Sequence, residues 1–199
     1  MFYYKLQNNE TIRLNIPENI YEPREDSLLL AAALEKILES KNTKSVLEIG
    51  CGSGLLSIIA AKRGCDVLAA DINPAAVECA KRNAELNNVK IKSALSNLFE
   101  NVEGIFNLVI FNPPYLPEEQ TEDSRTWAGG KNLEIITRFI KEAKRHLEIN
   151  AKLLIVISSL SNPEAVLNQF SDNGFKAEIT AEQKIPWEKL FVICAKYSY

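Results

Sequence analysis

Four consecutive residues, Asn112-Pro113-Pro114-Tyr115, directly follow the apolar run Leu108-Val109-Ile110-Phe111. An apolar run that stops at an asparagine and two prolines predicts a buried strand that ends in a rigid, exposed loop. Prolines have no N–H, so their carbonyls and the Asn112 amide oxygen are acceptors without local backbone partners. Beside the aromatic face of Tyr115, such acceptors suit chemistry on a planar NH2 group. An ordinary proline-stiffened turn is the alternative interpretation.

A second motif, Glu48-Ile49-Gly50-Cys51-Gly52-Ser53-Gly54, follows a predicted strand and opens a predicted helix. Glycines allow a tight strand-to-helix turn and let a ligand approach the backbone closely. Asp71 ends the next predicted strand, about 20 residues after Gly50, where a carboxylate can bind both hydroxyls of a ribose. This combination is compatible with any adenosine-containing cofactor.

The details of the glycine loop narrow the choice of cofactor. Leu55 and Ser57 occupy the third-glycine positions of the nicotinamide pattern, and the sequence has no G-x-x-x-x-G-K-[ST] phosphate loop. A Glu48 carboxylate that faces the crevice suits a cationic cofactor better than one with a pyrophosphate. The alternative interpretation is an acidic residue at a strand end whose hydrogen bonds are all made within the protein. An adenosine cofactor with a sulfonium and an ammonium group, S-adenosylmethionine, therefore fits best.

Short strands and helices that alternate along the chain must position these motifs. The predicted strands are Ser45–Ile49, Asp66–Ala70, Val89–Lys92, Phe106–Phe111, Lys152–Ser158, Gly174–Thr180 and Leu190–Ala195. The predicted helices are Leu55–Arg63, Pro74–Asn87, Leu133–Leu147 and Pro163–Phe170, and another begins after Pro23. This alternation predicts an α/β fold with a doubly wound, mostly parallel seven-stranded sheet. Only a loop separates the last two strands, so one of them is expected to be antiparallel.

We expect a single domain over residues 1–199, and its first 20 residues are expected to form a small hairpin. Most connections between the predicted strands and helices are short. The segment 115–131 is longer and contains Trp127 and a pair of glycines. A loop of this length in a compact domain usually serves as a lid or recognition element. We therefore predict a substrate loop there.

The overall composition argues against a disordered chain, a strongly basic nucleic-acid-binding protein, a metalloprotein and a membrane protein. An apolar content of 46% and a charged content of 25% are typical of globular chains. A net charge of −3 provides no global basic field for nucleic acid. The four cysteines are scattered and only one histidine is present, so we predict no metal site and reduced thiols. Without a signal peptide or an apolar run of membrane-spanning length, the expected location is cytoplasmic.

Taken together, these motifs resemble the class I S-adenosylmethionine-dependent methyltransferases with a Rossmann-like fold. The chain is most similar to the glutamine methyltransferases of peptide-chain release factors, in their archaeal and eukaryotic branch. The resemblance covers nearly the whole chain and rests on five segments: 21–27 (Tyr-Glu-Pro-Arg-Glu-Asp-Ser), 48–54, 71–74 (Asp-Ile-Asn-Pro), 112–115 and 127–132 (Trp-Ala-Gly-Gly-Lys-Asn).

The resemblance implies roles for particular residues. The implied cofactor contacts are Tyr21, Ser27, Glu48, Gly50, Gly52, Gly54, Asp71, Asn97, Leu98 and Asn112. Asn97 stands where the family has an aspartate that accepts a hydrogen bond from the adenine amino group, and its amide oxygen can still accept. Asn112, Pro113 and Tyr115 are implied as catalytic, and the implied substrate site adds Pro114 and Trp127.

The resemblance also implies the partners. The family's substrate is the glutamine of a Gly-Gly-Gln loop in a release factor, and enzymes of this branch work with a small zinc-binding activator subunit. The zinc would belong to that subunit. The activator covers apolar surface on a sheet edge, for which Val89-Lys90-Ile91 is the candidate segment.

Two other functions remain open at this point. An adenine-N6 methyltransferase acting on DNA or RNA would use the same acceptors for an exocyclic amine, but it must also extrude its base and bind a charged backbone. A methyltransferase-like binding subunit without catalysis is the other alternative. Loss of catalysis is expected to damage the glycine loop or the acceptor tetrapeptide, and both are intact.

Overall fold

The computed structural model describes residues 1–40, 42–113 and 124–197, while the side chains of residues 124–132 lie outside the description. The strands are β1 Phe2–Lys5, β2 Thr11–Leu14, β3 Ser45–Ile49, β4 Asp66–Asp71, β5 Lys92–Leu95, β6 Phe106–Phe111, β7 Leu147–Ser158, β8 Phe175–Ile185 and β9 Glu188–Tyr197. The helices are α1 Glu25–Leu38, α2 Leu55–Lys62, α3 Pro74–Leu86, α4 Ser124–Ala143 and α5 Pro163–Asp172.

Seven of these strands form one sheet in the order β5-β4-β3-β6-β7-β9-β8. All neighbouring pairs from β5 to β7 are parallel, whereas β9 runs antiparallel to both β7 and β8. Strands β1 and β2 form the separate N-terminal hairpin. The predicted doubly wound, mostly parallel sheet, its antiparallel member and the hairpin are confirmed. From β3 the chain winds outward to β4 and β5, then returns to β6 on the other side, which opens a ligand crevice at the carboxyl ends of β3 and β6.

The central strands are buried on both faces. In β6, Leu108 and Ile110 join the core beneath α1 and α2, while Val109 and Phe111 join the core beneath α4 and α5. This two-sided burial explains why the strand is a continuous apolar run without alternation. None of the helices in the described ranges is long and apolar enough to cross a membrane.

One predicted strand was wrong. We expected a strand at Val89–Lys92, but the edge strand β5 begins only at Lys92 and continues to Leu95. Val89 and Ile91 are half-buried and pack against the core in the connection from α3 to β5. Because both residues pack against the core while the lysines beside them are exposed, the segment shows the apolar–polar alternation that is typical of a strand without being one. The candidate activator segment Val89-Lys90-Ile91 therefore precedes the sheet edge and does not form it.

Other boundaries also differ from the prediction. The fourth helix begins at Ser124 and ends at Ala143, so residues 124–131 of the predicted loop are helical. Strand β7 begins at Leu147, five residues before the predicted start at Lys152, and its pairing with β6 shifts register there. Each glycine in a helix costs only about 1 kcal/mol, so Gly129 and Gly130 do not stop α4 from extending.

Candidate active site

A cavity of about 650 Å³ opens at the carboxyl ends of β3, β4 and β6. This volume is within the usual range for small-molecule sites. The cavity is lined by most of the predicted site residues: Tyr21, Ser27, Glu48, Gly50, Gly52, Asp71, Asn97, Leu98, Asn112 and Pro113. Pro114 and Tyr115 lie outside the described residues, and Trp127 lies on α4 with a side chain that is not described.

The glycine loop forms one wall of this cavity. Gly50, Gly52 and Gly54 all have positive φ, at 67°, 48° and 81°. Gly54 is set apart from the others because a Cβ there would lie 2.9 Å from the Cα and Cβ of Ala80 on α3. Gly54 is not among the residues that line the cavity, and its missing side chain lets α2 begin in close contact with α3.

A Gly54→Ala variant is expected to lose about 2–4 kcal/mol of unfolding free energy, because left-handed backbone strain and a steric clash add together. Chemical denaturation measures this loss. Gly64→Ala is the matched control, since Gly64 has φ 83° but open space around its Cβ position. Only the strain of about 1–2 kcal/mol is expected there. Equal losses in the two variants would contradict close packing at Gly54.

Asp71 ends β4 and faces the glycine loop. Its Oδ2 accepts the Gly52 backbone N–H at 2.9 Å, and its Oδ1 accepts the Asn73 backbone N–H at 2.8 Å. These bonds fix the carboxylate plane. A carboxylate oxygen has two acceptor sites, so each oxygen keeps one for a ligand. Asp71 is thus arranged to accept hydrogen bonds from two neighbouring hydroxyls.

Glu48 lies at the end of β3 and is 3% exposed. Its Oε2 accepts the Ser57 backbone N–H at 2.8 Å and also the Ser57 hydroxyl. Burial raises the pKa of the Glu48 carboxyl to about 8; the Ser57 hydrogen bonds oppose this rise and the nearby Asp71 charge adds to it. A cation in the cavity would favour the ionised carboxylate.

Asn112 follows β6 and contacts the start of α1. Its Nδ2 donates to Asp26 Oδ2 at 2.9 Å and to Ser27 Oγ at 3.1 Å. Its Oδ1 is buried and has no hydrogen-bond partner among the residues that the structure describes. A buried unpaired acceptor costs about 1–3 kcal/mol. The Asn112 oxygen therefore favours a ligand that brings an N–H or O–H donor into the cavity.

Asn97 lies on another side of the cavity and is held by charged neighbours. Its Oδ1 accepts from Arg138 at 3.3 Å, and its Nδ2 donates to Glu100 at 2.9 Å. The amide oxygen keeps one acceptor site for a ligand. The next residue, Leu98, has φ 51°, so the backbone turns sharply at the cavity wall.

Two residues of this site were missed by sequence reasoning. Asp26 belongs to the segment 21–27, but this segment gave Asp26 no role of its own. Its bond to Asn112 joins residues that are 86 positions apart. Arg138 lines the cavity from α4 and had no motif to mark it. Its periodic position on a predicted helix was the only available signal.

Comparison with known proteins identifies the family. The family model described as the methyltransferase small domain matches residues 25–185. A Methanocaldococcus jannaschii protein with the provisional name protein N5-glutamine methyltransferase is 45% identical, with 94% of this chain and 96% of that protein covered. Human methyltransferase HEMK2 is 31% identical, with 88% of each chain covered.

Among solved structures, the Mtq2–Trm112 complex of E. cuniculi is described as responsible for methylation of the translation termination factor eRF1. It matches with a TM-score of 0.70 and 26% identity, covering 90% of this chain and 99% of that chain. Since the family model spans most of the chain and the relatives align along nearly their whole length, this protein belongs to the methyltransferase small domain family.

Proposed function

We propose that this protein transfers a methyl group from S-adenosylmethionine to the side-chain amide nitrogen of a glutamine in a peptide-chain release factor. The observation that carries the proposal is the buried Oδ1 of Asn112, a residue that lines the cavity, because this oxygen has no hydrogen-bond partner among the described residues. A primary amide brings N–H donors of the kind that this oxygen lacks. The names of the archaeal relative and of the E. cuniculi complex support glutamine and the termination factor.

The cavity residues fit the proposed cofactor. Asp71 is oriented to bind two ribose hydroxyls, and the buried Glu48 carboxyl lies where a positive charge would favour its ionisation. Asn97 and Leu98 line the cavity, and the free acceptor site of the Asn97 oxygen would bind the adenine amino group. When bound, S-adenosylmethionine supplies an electrophilic methyl group on a sulfonium, which the attacking nitrogen takes while the sulfur keeps the bonding electron pair.

An amide nitrogen is a weak nucleophile because its lone pair is delocalised into the carbonyl. Asn112 Oδ1 and the Pro113 carbonyl would accept the two N–H bonds of the glutamine amide, orienting its nitrogen toward the methyl group. These acceptors also favour the positive charge that develops on nitrogen during transfer. Positioning contributes about 7–11 kcal/mol and oriented dipoles several more, so a strong general base is not required. The methylated nitrogen is strongly acidic and releases one N–H proton to water, which gives the neutral N-methyl amide.

The raised pKa of Glu48 makes the proposed cofactor binding dependent on pH. Below pH 8 the buried carboxyl must lose its proton before it can pair with a cation. Affinity for S-adenosylmethionine should therefore rise between pH 6 and 8, by at most about tenfold per pH unit, and level off above the pKa. Isothermal calorimetry across this range measures the effect.

Glu48→Gln is the matched control, because glutamine keeps an acceptor for Ser57 but does not titrate. Titration of the cofactor's own amino group affects the unmodified protein and the variant equally. The difference between their profiles of affinity against pH therefore measures the titration of Glu48. Parallel profiles would exclude Glu48 as the residue that responds to the cofactor charge.

We also propose a small zinc-binding activator subunit, in keeping with the E. cuniculi complex. Strand β5 lies at one edge of the sheet, with no strand paired to its outer side in the part of the chain that the structure describes, and its Leu95 is 51% exposed. Apolar residues on a sheet edge favour pairing with another chain. This edge replaces Val89-Lys90-Ile91 as the candidate surface.

The function is tested by expressing the protein together with a release factor and a candidate activator, followed by mass spectrometry of the Gly-Gly-Gln peptide. The expected product is one added methyl group on the glutamine. A release factor with glutamate at that position lacks the amide nitrogen and serves as the control. Methylation of adenine in an oligonucleotide, with the glutamine unmodified, would favour the nucleic-acid alternative. Failure to bind S-adenosylmethionine with the activator present would favour a non-catalytic subunit.

A further inference from the structure

Both N–H groups of the Asn112 amide are already used within the protein. One donates to Asp26 Oδ2 at 2.9 Å and the other to Ser27 Oγ at 3.1 Å. A primary amide has only two N–H donors. The Asn112 side chain therefore has only an acceptor left to present to a ligand.

Asp26 determines which way round the Asn112 side-chain amide lies. A carboxylate only accepts hydrogen bonds, so turning the Asn112 amide over would place its oxygen against Asp26 Oδ2, acceptor to acceptor. Ser27 does not enforce the orientation, since a hydroxyl both donates and accepts. The other oxygen of Asp26 accepts the Tyr21 hydroxyl at 3.0 Å, which holds the carboxylate in place.

We infer that Asp26 is a positioning residue that locks the Asn112 amide with its oxygen toward the methyl acceptor, and so restricts the acceptor to groups with N–H donors. A primary amide meets this requirement. A carboxylate such as glutamate does not, because it would face Asn112 Oδ1 with another acceptor. The inference deepens the proposed function and rests on it for the identity of the substrate.

The competing interpretation is that Asp26 serves only the positive end of α1. Glu25 and Asp26 both lie in the first turn of that helix, where acidic residues are favourable. Glu25 is exposed and is sufficient for that role, whereas Asp26 is 4% exposed. Burying a carboxylate is costly unless its hydrogen bonds are satisfied, and the bonds to Asp26 come from Tyr21 and Asn112.

The decisive variant is Asp26→Asn, compared with Glu25→Gln as the matched change of charge in the same helical turn. In D26N the Tyr21 hydroxyl can hold the new amide oxygen, which directs the new NH2 group at Asn112 and favours the reversed Asn112 orientation. We expect kcat on a Gly-Gly-Gln substrate to fall about 100-fold, as for loss of one oriented polar contact in a transition state. E25Q should keep kcat within about twofold, and both variants should bind S-adenosylmethionine within about threefold of the unmodified protein.

A double-mutant cycle separates positioning from a general structural effect. In an Asn112→Ala background, D26N should cause no further loss, because the group it positions is absent. An equal loss in both backgrounds would overturn the inference. A loss of cofactor affinity in D26N that persists in the Asn112→Ala background would instead make Asp26 a direct cofactor contact and would also overturn it.

A measurement without substrate keeps this test independent of the proposed function. In the NMR spectrum of the free protein, the Asn112 side-chain NH2 signal, assigned by its absence in N112A, should exchange slowly with solvent. The exchange should become at least about tenfold faster in D26N and stay unchanged in E25Q. Slow exchange without glutamine methylation would refute the proposed function alone. Fast exchange in the unmodified protein, or unchanged exchange in D26N, would refute the role of Asp26.

Discussion

Asn112→Ala is expected to lower kcat for glutamine methylation by about 10²–10³-fold, the usual consequence of removing one oriented polar group from a transition state. The variant loses the buried Oδ1 that would accept an amide N–H, together with the bonds to Asp26 and Ser27. Single-turnover assays with labelled S-adenosylmethionine measure the methyl-transfer step directly.

Cofactor affinity should change little in the same variant, because the acceptors assigned to ribose and sulfonium are on β3 and β4. Denaturation curves must accompany the assays, since the variant removes one donor from the buried Asp26 carboxylate. Asn8→Ala, which removes an exposed asparagine from the β1–β2 turn, is the control for the substitution itself. Methyl transfer at the normal rate in Asn112→Ala would show that the Asn112 oxygen has no role in the mechanism. An equal loss of activity and cofactor affinity would move Asn112 to a role in cofactor binding.

Asp71→Ala is expected to weaken S-adenosylmethionine binding by at least about 100-fold. A hydrogen bond to a charged group contributes about 1.5–3 kcal/mol, and about 1.4 kcal/mol changes affinity tenfold. Loss of two such bonds to ribose, at the low end of this range, therefore corresponds to about 100-fold in affinity. Calorimetry with the cofactor alone measures this affinity and requires no methyl acceptor.

Asp66→Ala tests the same change of charge at the opposite end of the same strand, where the side chain is exposed. Its cofactor affinity should match that of the unmodified protein. The Asp71 substitution also removes acceptors from the Gly52 and Asn73 N–H groups, so denaturation curves must accompany the binding data. Binding by Asp71→Ala that equals binding by Asp66→Ala would exclude a ribose contact at Asp71.

The strands that position the site were predictable because their residues are buried on both faces of a parallel sheet. The predicted bounds Ser45–Ile49 and Phe106–Phe111 match β3 and β6. Such strands are continuous apolar runs bounded by polar or turn-forming residues, a signal contained within one short segment. The prediction failed at Val89–Lys92, where apolar residues alternate with lysines, because a half-buried connection can show the same alternation as a strand.

The roles of individual site residues depended on contacts between distant segments. Asp26 and Asn112 are separated by 86 positions, and their bond is what leaves the Asn112 oxygen as the free acceptor. The pKa of Glu48 likewise depends on how deeply β3 is buried beneath its neighbours. Neither the free acceptor on Asn112 nor the raised pKa of Glu48 can be predicted from a local sequence motif.

The sequence by itself determined the doubly wound sheet, the glycine loop with Asp71, and the Asn112-Pro113 segment at a strand end, because periodicity and turn chemistry are local. Only the tertiary structure decided which strands form the sheet edges, that the Asn112 oxygen has no partner among the described residues, and that burial raises the pKa of the Glu48 carboxyl. Hydrogen-bond partners and burial arise from segments brought together by folding, so they depend on the packed arrangement of the whole chain.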